Sequence, residues 1–191
     1  DCTPFTVDYG GEVVNVAINH YITASYQVDD EKKIKVSYQS EVPNSSGLGT
    51  SAAMNVAFLS AINGKDKEKA EIAELAYQFE ALLGNRGGRQ DQWAAAIGGI
   101  QHLMLVGDRV EAMPFEPLDS AKRWLCRQMV LAYTGISHSS GDIHNGVWKR
   151  YDEGDEVVLN SLLTIRKAAR KVAEGFGKDR RDEVVFGVRD V

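Results

Sequence analysis

Cysteine is scarce: Cys2 and Cys126 are the two in 191 residues. Two distant thiols make neither a disulfide framework nor a metal knuckle, so the expectation is free thiols in a reducing, cytoplasmic compartment. Long apolar runs are missing as well. No stretch approaches the roughly 18–20 apolar residues that a helical membrane span needs. There is no basic excess: 22 Lys and Arg stand against 27 Asp and Glu, a net charge of −5. General nucleic-acid affinity needs a concentrated basic surface, which this balance excludes. The local run Arg180-Arg181 is answered by Asp179, Asp182 and Glu183. The histidines His20, His102, His138 and His144 show no metal-ligand spacing. His20 and His102 fall in expected strands as structural residues, while His138 follows a turn and could line a pocket. A nucleophile-elbow pattern, internal repeats and low-complexity segments are all absent.

What is present suits one compact domain, or one and a half small ones, with 43% hydrophobic residues. After a Gly10-Gly11 turn, residues 12–27 are rich in Val, Ile, Thr and Tyr and read as strand. A second strand is expected over 33–39, then a loop of small residues and a helix from Ser51 to about Ile62 with a left-handed cap at Asn63-Gly64. An amphipathic helix follows over 66–84, stopped by Gly84. A glycine-rich polar loop, a short helix and a strand near 100–106 come next. Gly107-Asp108 turns into a strand at about 109–115. Residues 127–133 suggest a buried strand, Ser139–Tyr151 a helix capped by Ser139 or Ser140, and Glu156–Phe176 a long helix. Antiparallel strands with helices after them give an α+β class.

The loop Pro43-Asn44-Ser45-Ser46-Gly47-Leu48-Gly49-Thr50-Ser51-Ala52-Ala53 carries the strongest chemical signal. Its glycines let backbone N–H groups approach a ligand closely. The helix that follows adds unsatisfied N–H groups and the positive end of its dipole. Together they form an anion site, for which phosphate is the commonest biological ligand. Thr50 and Ser51 add hydroxyls that a phosphate or its Mg²⁺ could meet. A plain turn with a helix cap is the structural alternative. This is no Walker loop: position 50 is Thr, and no Lys occurs between Lys35 and Lys65.

Two carboxylates stand out. Asp91 lies in a glycine-flanked loop beside Arg86 and Arg89. It reads either as a helix cap or as the base or orienter of a substrate hydroxyl, kept ionised by the arginines. Phosphoryl transfer needs that positioning, together with charge neutralisation and Mg²⁺. Glu80 precedes Asp91 by eleven residues. It is a solvated helix residue unless its helix end faces the loop, in which case it suits Mg²⁺.

Three blocks then align. Residues 43–53 closely resemble the second signature of the GHMP small-molecule kinases. Gly87-Gly88-Arg89-Gln90-Asp91-Gln92-Trp93-Ala94-Ala95-Ala96-Ile97-Gly98-Gly99 resembles the catalytic-loop region of the sugar-kinase branch, and is most similar there to heptose 7-phosphate kinases and fucokinase-like enzymes. Leu131-Ala132-Tyr133-Thr134-Gly135-Ile136-Ser137 resembles a later strand-turn of that branch.

The resemblance implies a two-domain GHMP-kinase-like architecture with a ribosomal-S5-domain-2-like fold in its N-terminal part. Residues 1–118 would be the ATP-binding domain and 119–191 part of the C-terminal domain. It implies Mg-ATP-dependent phosphorylation of a sugar or sugar-phosphate hydroxyl, a heptose or a hexose such as fucose. Asp91 matches the catalytic aspartate, and Glu80 matches the magnesium-binding glutamate, with Ser51 beside the metal. Pro43, Ser45, Ser46, Gly47, Leu48, Gly49, Thr50, Ser51 and Ala52 would wrap the ATP phosphates. Asp1, Gly88, Gln90, Asp91 and Tyr133 would meet the sugar. The implied partners are ATP, the sugar and a second copy in a homodimer, with no nucleic acid and no membrane. The alternatives are a non-catalytic sugar and nucleotide sensor on the same fold, and a structural domain in which the glycine loop is only a turn.

Departures from the family pattern are the absent Arg-bearing first strand, the absent third glycine-rich signature and a short connection between residues 27 and 33. The start, Asp1-Cys2-Thr3-Pro4-Phe5, looks like a domain interior. The end, Val184–Val188, is apolar with nothing after it to pack on. The expectation is a fragment, or a chain with segments omitted.

Overall fold

The computed structural model describes residues 3–84, 87–136 and 140–191. In chain order the elements are α1 (Thr3–Tyr9), β1 (Gly11–Val16), β2 (Ile22–Val28), β3 (Ile34–Ser40), α2 (Thr50–Asn63), α3 (Lys69–Leu82), α4 (Gln90–Ile97), β4 (Ile100–Val106), β5 (Arg109–Ala112), α5 (Asp119–Gln128), α6 (Ser140–Asp152), α7 (Glu156–Lys178) and α8 (Arg181–Arg189). The expected α+β class holds. The chain forms two compact units, one of Asp1–Val16, Ile100–Thr134 and Asp142–Val191, the other of Ala17–Gly99 and Gly135–Gly141. Among the described residues, no helix is long and apolar enough to cross a membrane.

The first unit is built on an antiparallel sheet of order β1-β4-β5. Gly11 pairs with Leu105, Val16 with Ile100, and Leu103 with Ala112. On β4 the period of two buries Gln101, Leu103 and Leu105. Ala121, Val172, Phe176 and Val184 form one core cluster with Val14 and Ile100 against it, and Phe5 and Trp148 form a second. Asp155 caps α7 by accepting from the Val157 and Val158 amides at 2.9 and 3.3 Å. The Arg150 hydrogen bond, then those amides, hold its carboxyl below the usual range. Glu12 is buried on β1, where Arg170 donates to it at 2.7 Å and His102 lies 2.8 Å away.

Helices α7 and α8 meet at two glycines. A Cβ on Gly175 would lie 2.7 Å from Val184 Cγ2 and 3.0 Å from the Arg180 carbonyl. Gly175→Ala is therefore expected to cost about 1–3 kcal/mol by overpacking. The check is the urea midpoint, which falls while the m-value holds. An unchanged midpoint contradicts the close approach.

The second unit packs α2, α3 and α4 around Val56, Ile72 and Ala76, with Leu59 and Ala96 against them. The antiparallel pair β2–β3 lies beside α2, with Ile22 opposite Ser40 and Val28 opposite Ile34. This unit holds the loop at 43–53, Glu80 and Asp91 together.

Several expectations need correction. The stretch 12–27 is two strands in different sheets, broken at 17–21, so His20 lies in a connection rather than a strand. Gly64 is right-handed at φ −76°, because the chain continues into a tight helical turn over Gly64–Asp66. The amphipathic helix begins at Lys69, not 66. The strand at 109 ends at Ala112 rather than near 115. Residues 127–133 are not a buried strand: α5 runs to Gln128, and Val130 is 85% exposed. The apolar C-terminal stretch does have a partner. It folds as α8 and buries Val184 and Gly187. The helix at Thr3–Tyr9 was not foreseen. His138 and the Ser139 cap lie outside the described residues.

Candidate active site

The loop after β3 turns through three positive-φ residues, Ser45 at 56°, Gly47 at 79° and Gly49 at 65°. Left-handed residues interspersed in a turn draw successive N–H groups toward one concavity, the form of an anion nest. Gly49 is the N-cap of α2, and no side chain caps the helix. The first helical N–H bond runs from Ala53 to Gly49 at 2.9 Å. The amides of Thr50, Ser51 and Ala52 therefore stand outside the helical ladder. Among the described residues, no side chain caps these amides. Ser46 Oγ is buried with no hydrogen-bond partner among the described residues, a donor available to a phosphate oxygen. Pro43 and Leu48 are exposed at the rim, while Ala52 is buried and anchors the helix start.

Asp91 packs directly on this loop. A Cβ built on Gly49 would lie 2.9 Å from Asp91 Cγ and 3.2 Å from its Oδ2. Only a glycine lets the loop backbone come so close. Asp91 is the second residue of α4, and Arg89 holds the N-cap position. Asp91 is therefore not the helix cap, and it is exposed to an incoming hydroxyl. Gly88 and Gln90 flank it, both half-buried.

Glu80 is not a solvated helix residue but 6% exposed. Its Oε1 accepts from Ser51 Oγ at 3.2 Å and from Asn55 Nδ2 at 2.8 Å. Its Oε2 accepts from Gln92 Nε2 at 3.0 Å. The Ser51 hydroxyl and the Glu80 carboxylate, beside the 43–53 loop, are hard oxygen donors of the kind that suits Mg²⁺. Among the described residues, no group of three or more His, Cys, Asp or Glu could hold a metal by itself. A Mg²⁺ completed by phosphate oxygens and waters needs no such cage.

A second carboxylate of α3 fixes α4. Glu74 accepts from Arg89 Nε at 3.1 Å and from Trp93 Nε1 at 2.7 Å. The Arg89 guanidinium stacks 3.9 Å over the Tyr77 ring. Arg89, expected as a charge beside Asp91, thus spends its Nε on α3, while Arg86 lies outside the described residues. Tyr133 stands in the other unit, 48% exposed, in the segment after α5. Asp1 lies outside the described residues.

Sequence reasoning passed over Asn55, Glu74 and Gln92. Asn55 had a signal, since it follows Ser51 by four residues and so shares its helix face. Gln92 had none. The direction of a residue adjacent to Asp91 depends on how α4 docks.

Residues 12–99 match the family model of the GHMP kinases N terminal domain. This stretch thus resembles the N-terminal domain of the GHMP kinases. It is 30% identical over 177 residues to a mevalonate kinase of Pyrococcus furiosus, covering 89% of this chain and 49% of that protein. It is 33% identical over 144 residues to the D-glycero-alpha-D-manno-heptose 7-phosphate kinase of Campylobacter jejuni, covering 71% of this chain and 41% of that one. A crystal structure of a D-glycero-D-manno-heptose 1-phosphate kinase from Bacteroides thetaiotaomicron superposes with a TM-score of 0.75 at 22% identity, over 100% of this chain and 71% of that one. The chain thus spans about half the length of the curated relatives it matches.

Proposed function

We propose that the protein transfers the γ-phosphoryl group of Mg-ATP to a hydroxyl of a sugar or sugar phosphate, a heptose 7-phosphate or a related hexose such as fucose. The observation that carries this reading is the joint placement of Gly49 against Asp91 and of Ser51 against Glu80. One loop then meets both a base and a metal carboxylate. The open amides of Thr50–Ala52 and the buried Ser46 hydroxyl bind phosphate oxygens. They do so without a Walker lysine, through N–H groups and the α2 dipole.

Ser51 and Glu80 would hold the Mg²⁺, which would supply neutralisation of the phosphate charge. Asp91 accepts a hydrogen bond from the acceptor hydroxyl, orients it in line with the γ-phosphorus and takes its proton as the new P–O bond forms and the bond from the γ-phosphorus to the β–γ bridging oxygen breaks, ADP leaving with that oxygen. Gly88 and Gln90, which flank Asp91, would meet the sugar. Residues 1–118 act as the ATP-binding domain, with 119–191 belonging to the C-terminal domain. The cytoplasm, which supplies Mg-ATP, is the compartment this reading implies, with the exposed Cys126 a free thiol.

The sugar is favoured over mevalonate by the 87–99 block, which resembles the sugar-kinase branch. The test is coupled ADP release by the complete gene-encoded protein with heptose 7-phosphate, fucose, galactose, mannose and mevalonate. Turnover with one of the sugars is expected, at a typical kinase kcat of about 1–100 s⁻¹. Turnover of mevalonate alone would overturn the substrate class. Mg-ATP binding without any ADP release would favour the sensor.

A further inference from the structure

We infer that Gln92 and Asn55 are positioning residues that hold the Glu80 carboxylate in the orientation a divalent cation requires. The inference rests on the phosphoryl-transfer reading and adds to it two side chains outside the phosphate loop.

Glu80 projects from α3, and its two oxygens are fixed separately. Asn55 of α2 donates to Oε1 at 2.8 Å, and Gln92 of α4 donates to Oε2 at 3.0 Å. The carboxylate is thus set by two amides on two different helices, with Ser51 Oγ sharing Oε1 at 3.2 Å. The residue type matters. A Lys or Arg in either place would compete with a cation for the carboxylate and repel it. A neutral amide orients the carboxylate without adding a charge that competes with a cation. Glu74, earlier on α3, is treated in the opposite way: Arg89 donates to it.

Gln92 carries a second observation. It is 2% exposed, and its Oε1 is buried with no hydrogen-bond partner among the described residues. A buried carbonyl left without a donor is destabilising, and an apolar residue of the same shape would avoid that loss. A purely structural role is therefore poorly served by glutamine. A role beside a hydrated cation is well served, because Mg²⁺ keeps several waters, each a donor. One amide then donates to the metal carboxylate and accepts from metal-held water. Outer partners of this kind shift metal affinity by about 10–100-fold. Gln92 also follows Asp91 directly in the first turn of α4. The turn that presents the base to the loop therefore also sets the metal ligand.

The test uses the complete gene-encoded protein with Mn²⁺ as the probe, titrated by electron paramagnetic resonance in the presence of ADP. Gln92→Leu and Asn55→Ala are each expected to weaken Mn²⁺ binding by about 10–100-fold. The Mg²⁺ concentration for half-maximal ADP release should rise in step, with the sugar KM and metal-free ADP affinity unchanged. Asn55 is only half-buried, so its variant keeps the test decisive if Gln92→Leu does not fold. Wild-type Mn²⁺ affinity in the folded variants would overturn the inference alone. So would an equal loss of metal-free ADP binding, which marks a merely structural role. Failure of the wild-type protein to bind Mn²⁺ with ADP would overturn the kinase reading and this inference with it.

Discussion

Asp91→Asn lowers kcat by about 10²–10⁴-fold, the range for loss of a general base, and leaves Mg-ATP affinity unchanged. The substitution keeps the shape of the side chain and its packing on Gly49 while removing its capacity to take a proton. Asp91 touches the loop with its side chain but is not the cap of α4, since Arg89 occupies that position. The helix therefore survives the change, and the urea midpoint stays near wild type. Steady-state ADP release with nucleotide binding measured separately tests this. A variant with wild-type kcat would remove Asp91 from the chemistry.

Gly49→Ala is expected to lower kcat/KM by about 10²-fold or more, because misplacing a reacting group by about 1 Å costs that much. Two effects combine. The residue sits at φ +65°, where a side chain is strained by about 1–2 kcal/mol. The new Cβ would also lie 2.9 Å from Asp91 Cγ and 3.0 Å from Asp91 Cβ. The second contact is close to the backbone, so the start of α4 must move rather than a flexible tip. Gly84→Ala separates the two effects. Its φ is +85°, with nothing within 4 Å of the added carbon. It should lose stability by a similar strain and keep its activity. Equal activity losses in the two variants would contradict the close packing of loop on aspartate.

The loop at 43–53 and the helix start after it were legible because their signal is local: small residues, glycines and a helix start within eleven positions. The order of loop, Glu80 and Asp91 was legible for the same reason. Their contact was not, since it depends on how α2, α3 and α4 pack. Even so, Glu80 lies four and eight residues after Ala76 and Ile72, both buried. That spacing marks one helix face, yet the charge of Glu80 argued for solvent.

The errors in the fold have the same origin. Residues 129–133, Met-Val-Leu-Ala-Tyr, have strand composition, but a strand is buried only when a neighbour pairs with it. The described residues provide none. The break between β1 and β2 falls at Ala17-Ile18-Asn19-His20-Tyr21, which contains neither Gly nor Pro to announce it. Val184–Val188 looked unpartnered because its partner surface is the small-residue face of α7 at Gly175 and Val172. Helical periodicity predicts that such a face exists, but not what fills it.

The central claim is that one loop serves both metal and base. A crystal structure of the complete protein with Mn²⁺ and a non-hydrolysable ATP analogue tests it most directly. The account predicts phosphates on the amides of Thr50–Ala52, Mn²⁺ on Ser51 Oγ and Glu80, and Asp91 facing the γ-phosphate across the space for an acceptor hydroxyl. A nucleotide bound away from the 43–53 loop, or a metal that leaves Glu80 on Asn55 and Gln92 alone, would contradict it.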